Sequence, residues 1–70
     1  MSCKKSQLTE KDFSKKEKAL VQLHINNYSL IGWDKMHSAW RDKKGRLCVR
    51  YKDEELDVWF HYDVNTGEWW

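Results

Sequence analysis

Two short segments in the second half of the chain constrain its fold more than any other feature. They are Asp42-Lys43-Lys44-Gly45 and Asp63-Val64-Asn65-Thr66-Gly67. Each opens with an Asp, whose short carboxylate caps the amides of a turn. Each closes with a Gly, which takes a positive φ at no steric cost. Segments of this kind join neighbouring antiparallel strands through a type I turn and a bulge. The sequence on either side has a period of two. Met36, Ser38 and Trp40 alternate with His37, Ala39 and Arg41. Leu47, Val49 and Tyr51 alternate with Cys48 and Arg50, and Val58, Phe60 and Tyr62 with Trp59 and His61. Lys52 to Leu56 is a charged loop, and Glu68-Trp69-Trp70 is a short closing strand. The pattern predicts an antiparallel β-meander of three to four strands.

A lone meander of this size has too little to bury, so a helix should cover one face. Ser14 followed by Glu17 fits a capping box, and Thr9 to Asp12 is a weaker start one turn earlier. The run Lys15-Lys16-Glu17-Lys18-Ala19-Leu20 is rich in helix formers. Leu20, Val21, Ile25 and Tyr28 share one helical stripe with Leu23 at its edge, and Asn26-Asn27 marks an end. Val21 to Ile25 also alternates as a strand would; helix-forming composition favours the helix. The predicted fold is α+β, with one N-terminal amphipathic helix packed on the meander. Residues 13–70 form a single small domain, and the polar, Lys-rich residues 1–12 a flexible basic tail.

A 70-residue chain has little interior, yet it carries five Trp, three Tyr and two Phe. Either the rings fill nearly the whole core, or some remain outside for a partner. Period two assigns Met36, Trp40, Leu47, Val49, Tyr51, Val58, Phe60, Tyr62 and Trp70 to the core face. It assigns His37, Arg41, Cys48, Arg50, Trp59, His61 and Trp69 to the face left to solvent. Trp33, at the helix–sheet junction, is unassigned. Trp and Arg are enriched at interaction hot spots, so Arg41, Arg50, Trp59, His61 and Trp69 are the candidate binding residues. The expected function is non-enzymatic: a small intracellular adaptor, inhibitor or regulator that docks a protein through this face. The alternative is single-stranded nucleic-acid binding, with bases stacking on the indoles and Lys43, Lys44 and Arg46 along the phosphates. Two plainer roles compete with both: a cation–π pair of Trp59 with Arg50, and self-association through the face.

The charge is segregated. Residues 1–18 carry six Lys against three acids. Residues 19–52 carry seven Lys and Arg against Asp34 and Asp42, and residues 53–70 carry six acids and no base. The acidic end should fold back on the basic strands as cross-strand pairs. It would also repel a phosphate backbone, which favours a protein partner.

No phosphate-binding Gly loop, nucleophile elbow or H-E-x-x-H is present, so no catalytic residue, cofactor or enzymatic activity is predicted. Glu54, Glu55 and Asp57 read as solvated loop acids. The nearest approach to a metal cluster is His37, Cys48 and His61 on adjacent strands. A closed zinc site needs a fourth ligand, so no metal is assigned. His24 reads as a boundary residue of the helix stripe. Two Cys without a C-x-x-C do not make a disulfide framework. The N-terminus has no signal-peptide core, and no stretch approaches the roughly 18 apolar residues of a membrane span. The expected compartment is the cytoplasm, with no membrane association.

Lys44-Gly45 followed by Asp57-Val58-Trp59-Phe60-His61-Tyr62 resembles the cold-shock domain. In that family a Lys-Gly opens an RNA-binding strand and a Val-Phe-Val-His-Phe strand follows. The resemblance implies nucleic-acid binding on a five-stranded barrel. It covers Lys44 to Tyr62 alone, and Arg46 and Cys48 stand where the family has stacking Phe. Gly32-Trp33, Asp42 to Arg46 and Asn65 to Trp69 resemble pieces of a WW domain, at wider spacing and without its closing Pro. The two resemblances imply different folds, and neither assigns a family.

Overall fold

The computed structural model describes residues 8–70. One helix, α1 (Lys15–Asn27), precedes four strands: β1 (Met36–Arg41), β2 (Leu47–Lys52), β3 (Asp57–Asp63) and β4 (Glu68–Trp69). Short 3₁₀ turns at Glu10–Asp12 and Trp33–Lys35 lead into α1 and β1. The strands form one antiparallel sheet in chain order, with α1 packed on one face. This is the α+β meander that the turn and period signals predict.

The helix starts where the capping box places it. Ser14 Oγ accepts the Glu17 amide at 3.1 Å, and Glu17 Oε1 accepts the Ser14 amide at 2.8 Å. The earlier candidate is used too, because the Thr9 amide donates to Asp12 Oδ2 at 2.9 Å and fixes the 3₁₀ turn. Residues 8–12, read from the sequence as part of the tail, are therefore built into the fold. The Leu8 amide donates to the Ala39 carbonyl at 2.9 Å, and its side chain packs on the core. The remaining tail residues, 1–7, lie outside the described residues.

Both hairpin turns have the expected chemistry. Asp42 Oδ1 accepts the amides of Lys44 and Arg46, each at 2.9 Å, and Gly45 has φ 80°. Asp63 Oδ1 accepts the Asn65 amide at 2.9 Å, and Gly67 has φ 75°. The charged loop between β2 and β3 follows the same rule: Asp53 Oδ1 accepts the amides of Glu55 and Leu56 at 2.8 Å.

The core lies between α1 and the sheet. Leu20 and Val21 of the helix, Ala39, Leu47, Val49, Tyr51 and Tyr62 of the sheet, and Phe13 and Ile31 from the flanking segments form one buried cluster. The buried helix stripe is Glu17, Leu20, Val21 and His24, at the i, i+3, i+4, i+7 spacing of one face. Ile25 and Tyr28 pack at its margin and Leu23 is exposed. His24 is thus a core residue and not a boundary one, because Trp69 and Phe60 close over it. Trp33 packs beside Phe13 and donates Nε1–H to Gln22 at 2.8 Å. The two charge blocks meet as expected: Arg50 pairs with Asp57 at 2.7 Å and Lys35 with Asp53 at 3.3 Å.

Candidate docking face

A bulge decides which side chains reach the face away from the helix. Met36 pairs with Tyr51, but Ser38 pairs with Arg50, so β1 advances two residues while β2 advances one. An extra residue shifts the side-chain alternation by one position. Beyond His37, Ala39 and Arg41 therefore turn towards α1, and Ser38 and Trp40 turn outward. This corrects the assignment of Trp40 to the core and of Arg41 to the open face. At the other edge Tyr62 pairs with Trp69 and Asp63 with Glu68. Trp69 thus joins Tyr62 on the helix face and Trp70 points outward, the reverse of the sequence expectation.

Of the five predicted binding residues, the structure brings Arg50, Trp59 and His61 together on the outer face. Trp40 and Trp70 join them. Trp40 on β1 and Trp59 on β3 lean across β2 to a ring separation of 5.5 Å. Trp59 lies 4.8 Å from His61, and His61 stacks on Trp70 at 4.8 Å with 9° between planes. Four rings make a continuous row over the sheet. Trp59 and Trp70 are each about half exposed, at 50% and 49%. Cys48 lies on this same face, between Trp40 and His61 in the register. It is nevertheless fully buried, so the ring row is its cover. Burial pushes the Cys48 thiol up from its ordinary pKa, with the Asp42 carboxylate adding to the effect.

The cations around the row are largely committed. Arg50 donates Nε and Nη2 to the two Asp57 oxygens at 2.8 and 2.7 Å. That contact replaces the cation–π pair with Trp59 and holds the Asp57 carboxyl below the usual range. Arg46 donates Nε to Asp42 Oδ2 at 2.8 Å while its guanidinium lies 5.0 Å over the Trp70 ring. Lys43 and Lys44 sit exposed on the first turn. His37, at the bulge, is exposed and apart from Cys48 and His61; Asp42 takes the third place near those two residues.

Arg41 and Trp69 serve the helix side. Arg41 grips Glu17, and its hydrogen bond holds that carboxyl below the usual range against the opposing effect of burial. Trp69 stacks on His24 at 4.6 Å with 22° between planes. Beneath it, His24 Nδ1 meets the Tyr62 hydroxyl at 2.7 Å and Tyr62 meets the Tyr51 hydroxyl at 2.6 Å. This closes a polar chain in which every described buried side-chain N and O has a partner. Sequence patterning missed this chain, because hydroxyl direction across paired strands carries no periodic signal.

No family model, curated protein or solved structure matches the chain. Among the described residues no helix is long and apolar enough to cross a membrane.

Proposed function

We propose that this chain is a non-enzymatic binding module that docks a protein partner on the outer face of its sheet. The residues in contact are Trp40, Arg50, Trp59, His61 and Trp70, which revises the sequence-based set by exchanging Arg41 and Trp69 for their neighbours. The observation that carries the proposal is the row of four rings over a sheet whose opposite face already holds the core. Trp59 and Trp70 leave about half of their surface open to solvent, and large rigid rings are the residues most often energetically dominant in interfaces. The committed cations favour a protein over nucleic acid. Arg46 and Arg50 are already paired with carboxylates, and a phosphate backbone would have to displace those partners. Nucleic-acid binding through Lys43, Lys44 and the rings is the competing outcome. A buried free thiol at Cys48 suits a reducing, intracellular compartment.

The test is a pull-down from native cell extract with the unaltered chain and with the Trp59→Ala and Trp70→Ala chains, each with and without nuclease. A nuclease-resistant protein retained only by the unaltered chain supports the proposal. Loss of the captured material on nuclease treatment transfers the face to nucleic acid, where affinity must fall steeply with salt. Equal capture by all three chains removes the outer face as the site.

A further inference from the structure

We propose that Asp42, Cys48 and His61 form a binding site for a thiophilic divalent cation, Zn²⁺ by the nature of its donors, at the edge of the ring row. Three consecutive segments bring them together. Cys48 on β2 and His61 on β3 are direct cross-strand partners, and Asp42 opens the turn into β2. One ligand atom from each, a thiol sulfur, an imidazole nitrogen and a carboxylate oxygen, lies within 4.8 Å of the other two. Zinc bonds of about 2.0–2.3 Å at tetrahedral angles separate ligand atoms by roughly 3.3–3.8 Å. The cluster therefore closes on an ion with side-chain movement of about 1 Å and no change of strand pairing. One sulfur, one nitrogen and one oxygen suit Zn²⁺ or Co²⁺ and not Ca²⁺ or Mg²⁺, which take oxygen alone.

The supporting contacts are those that orient ligands. Asp42 Oδ1 is held by the amides of Lys44 and Arg46, which fixes the carboxylate and leaves Oδ2 to side-chain contacts. His61 Nδ1 lies 3.4 Å from the Trp70 carbonyl, the kind of contact that fixes an imidazole and leaves Nε2 for a metal. A cation already sits on Oδ2, namely the Arg46 guanidinium. Metal binding exchanges one cation for another there, and Arg46 keeps its place over Trp70. Cys48 binds as the thiolate and releases its proton to solvent. Three protein ligands leave one coordination position for water.

Titration of the intact chain with Co²⁺ tests the proposal, because a cobalt–thiolate bond gives a near-ultraviolet charge-transfer band. Cys3 is the other thiol, so the titration is run in a Cys3→Ser background. The band should appear at one equivalent, together with the visible bands of a tetrahedral ion. Cys48→Ala should abolish it, and His61→Gln should weaken binding at least about tenfold. Arg46→Met should tighten binding, since it removes the competing cation. Circular dichroism shows whether each variant is folded. If Cys48→Ala is not, loss of the band in folded Asp42→Asn and His61→Gln chains decides the same point. Absence of the band in the Cys3→Ser chain overturns the proposal, as does its persistence in Cys48→Ala or unchanged affinity in folded Asp42→Asn and His61→Gln.

Discussion

Arg41 of β1 and Glu17 of α1 meet in a two-point ion pair, Nη2 on Oε1 at 2.9 Å and Nη1 on Oε2 at 2.5 Å. The same carboxylate accepts the Ser14 amide of the helix cap. Arg41 also donates to the Gly45 carbonyl at 3.2 Å and the Asp12 carbonyl at 3.4 Å. One side chain thus ties the helix start, the segment before it and the first hairpin turn to a single point. Removing one partner of a buried pair costs about 3–5 kcal/mol, and a partly solvated guanidinium reduces that figure. Arg41→Ala should therefore destabilise the domain by about 2 kcal/mol in urea unfolding at neutral pH. The Glu17 pKa is depressed in the fold, so its contribution is complete above the ordinary value near 4.5 and is lost as pH falls through the folded value. The difference between Arg41→Ala and the unaltered chain should shrink on going from neutral pH to pH about 3.

The buried imidazole gives a second acid dependence, in a higher window. Burial lowers the His24 pKa from its ordinary 6.5. The groups around it are the Tyr62 hydroxyl and the rings of Tyr28, Phe60 and Trp69; none carries a charge to stabilise an imidazolium. The unfolded chain takes up the proton first, so stability is level above the ordinary value and falls as pH drops through it towards the folded value. Melting temperatures at pH about 8 and about 5 should differ, with the acid sample lower. His24→Leu should remove most of that difference while Tyr62 keeps its bond to Tyr51. An equal difference in His24→Leu would place the acid sensitivity elsewhere.

Tyr51 and Tyr62 predict the opposite end of the scale. Burial is the main cause in both cases, and it pushes the Tyr51 hydroxyl up to about 12 and the Tyr62 hydroxyl higher still. Neither ring should ionise in the folded chain as pH rises through the ordinary tyrosine value near 10, whereas unfolded chain would ionise there. An ultraviolet titration that follows tyrosinate absorbance should show the late-ionising pair appear in the ordinary range once urea unfolds the domain. Both hydroxyls titrating in the ordinary range in native buffer would contradict the buried chain.

The sequence carried the elements of this fold because each has a local cause. Ser14 with Glu17, Asp42 with Gly45 and Asp63 with Gly67 act over three to four residues, and the structure uses each of them as expected. The outer face was legible only where pairing is uninterrupted. Cys48, Arg50, Trp59 and His61 lie on uninterrupted β2–β3 pairs and fall on the expected side. Trp40 and Arg41 lie beyond the bulge at His37, and no composition signal marks that extra residue. The error at the other edge has a different origin. Four residues, Val64 to Gly67, separate Asp63 from Glu68, and that length sets Trp69 opposite Tyr62. Counting back through the turn gives the correct side, whereas extending the strand pattern through it does not. The Asp42, Cys48 and His61 cluster needed both the register and the turn, since only the turn brings Asp42 beside the strand pair.

The indoles of β3 and β4, Trp59 and Trp69, separate surface from core most sharply. Trp59 is half exposed, and its main contacts are other rings on the open face. Trp69 is packed against the core and covers a buried imidazole. Trp59→Ala removes one ring of the row over Cys48 but leaves Trp40 and His61 beside that thiol, so its cost should be about 1 kcal/mol, the middle of the range for point substitutions. Trp69→Ala opens the roof over His24 and should cost about 3 kcal/mol, the lower part of the range for truncating a buried Trp. Urea unfolding of the two variants distinguishes them directly. Partner capture should then follow the reverse order, lost in Trp59→Ala and kept by Trp69→Ala under conditions where the latter remains folded. Equal destabilisation by both would mean that the ring row belongs to the structural core, and the outer face would lose its claim to a partner.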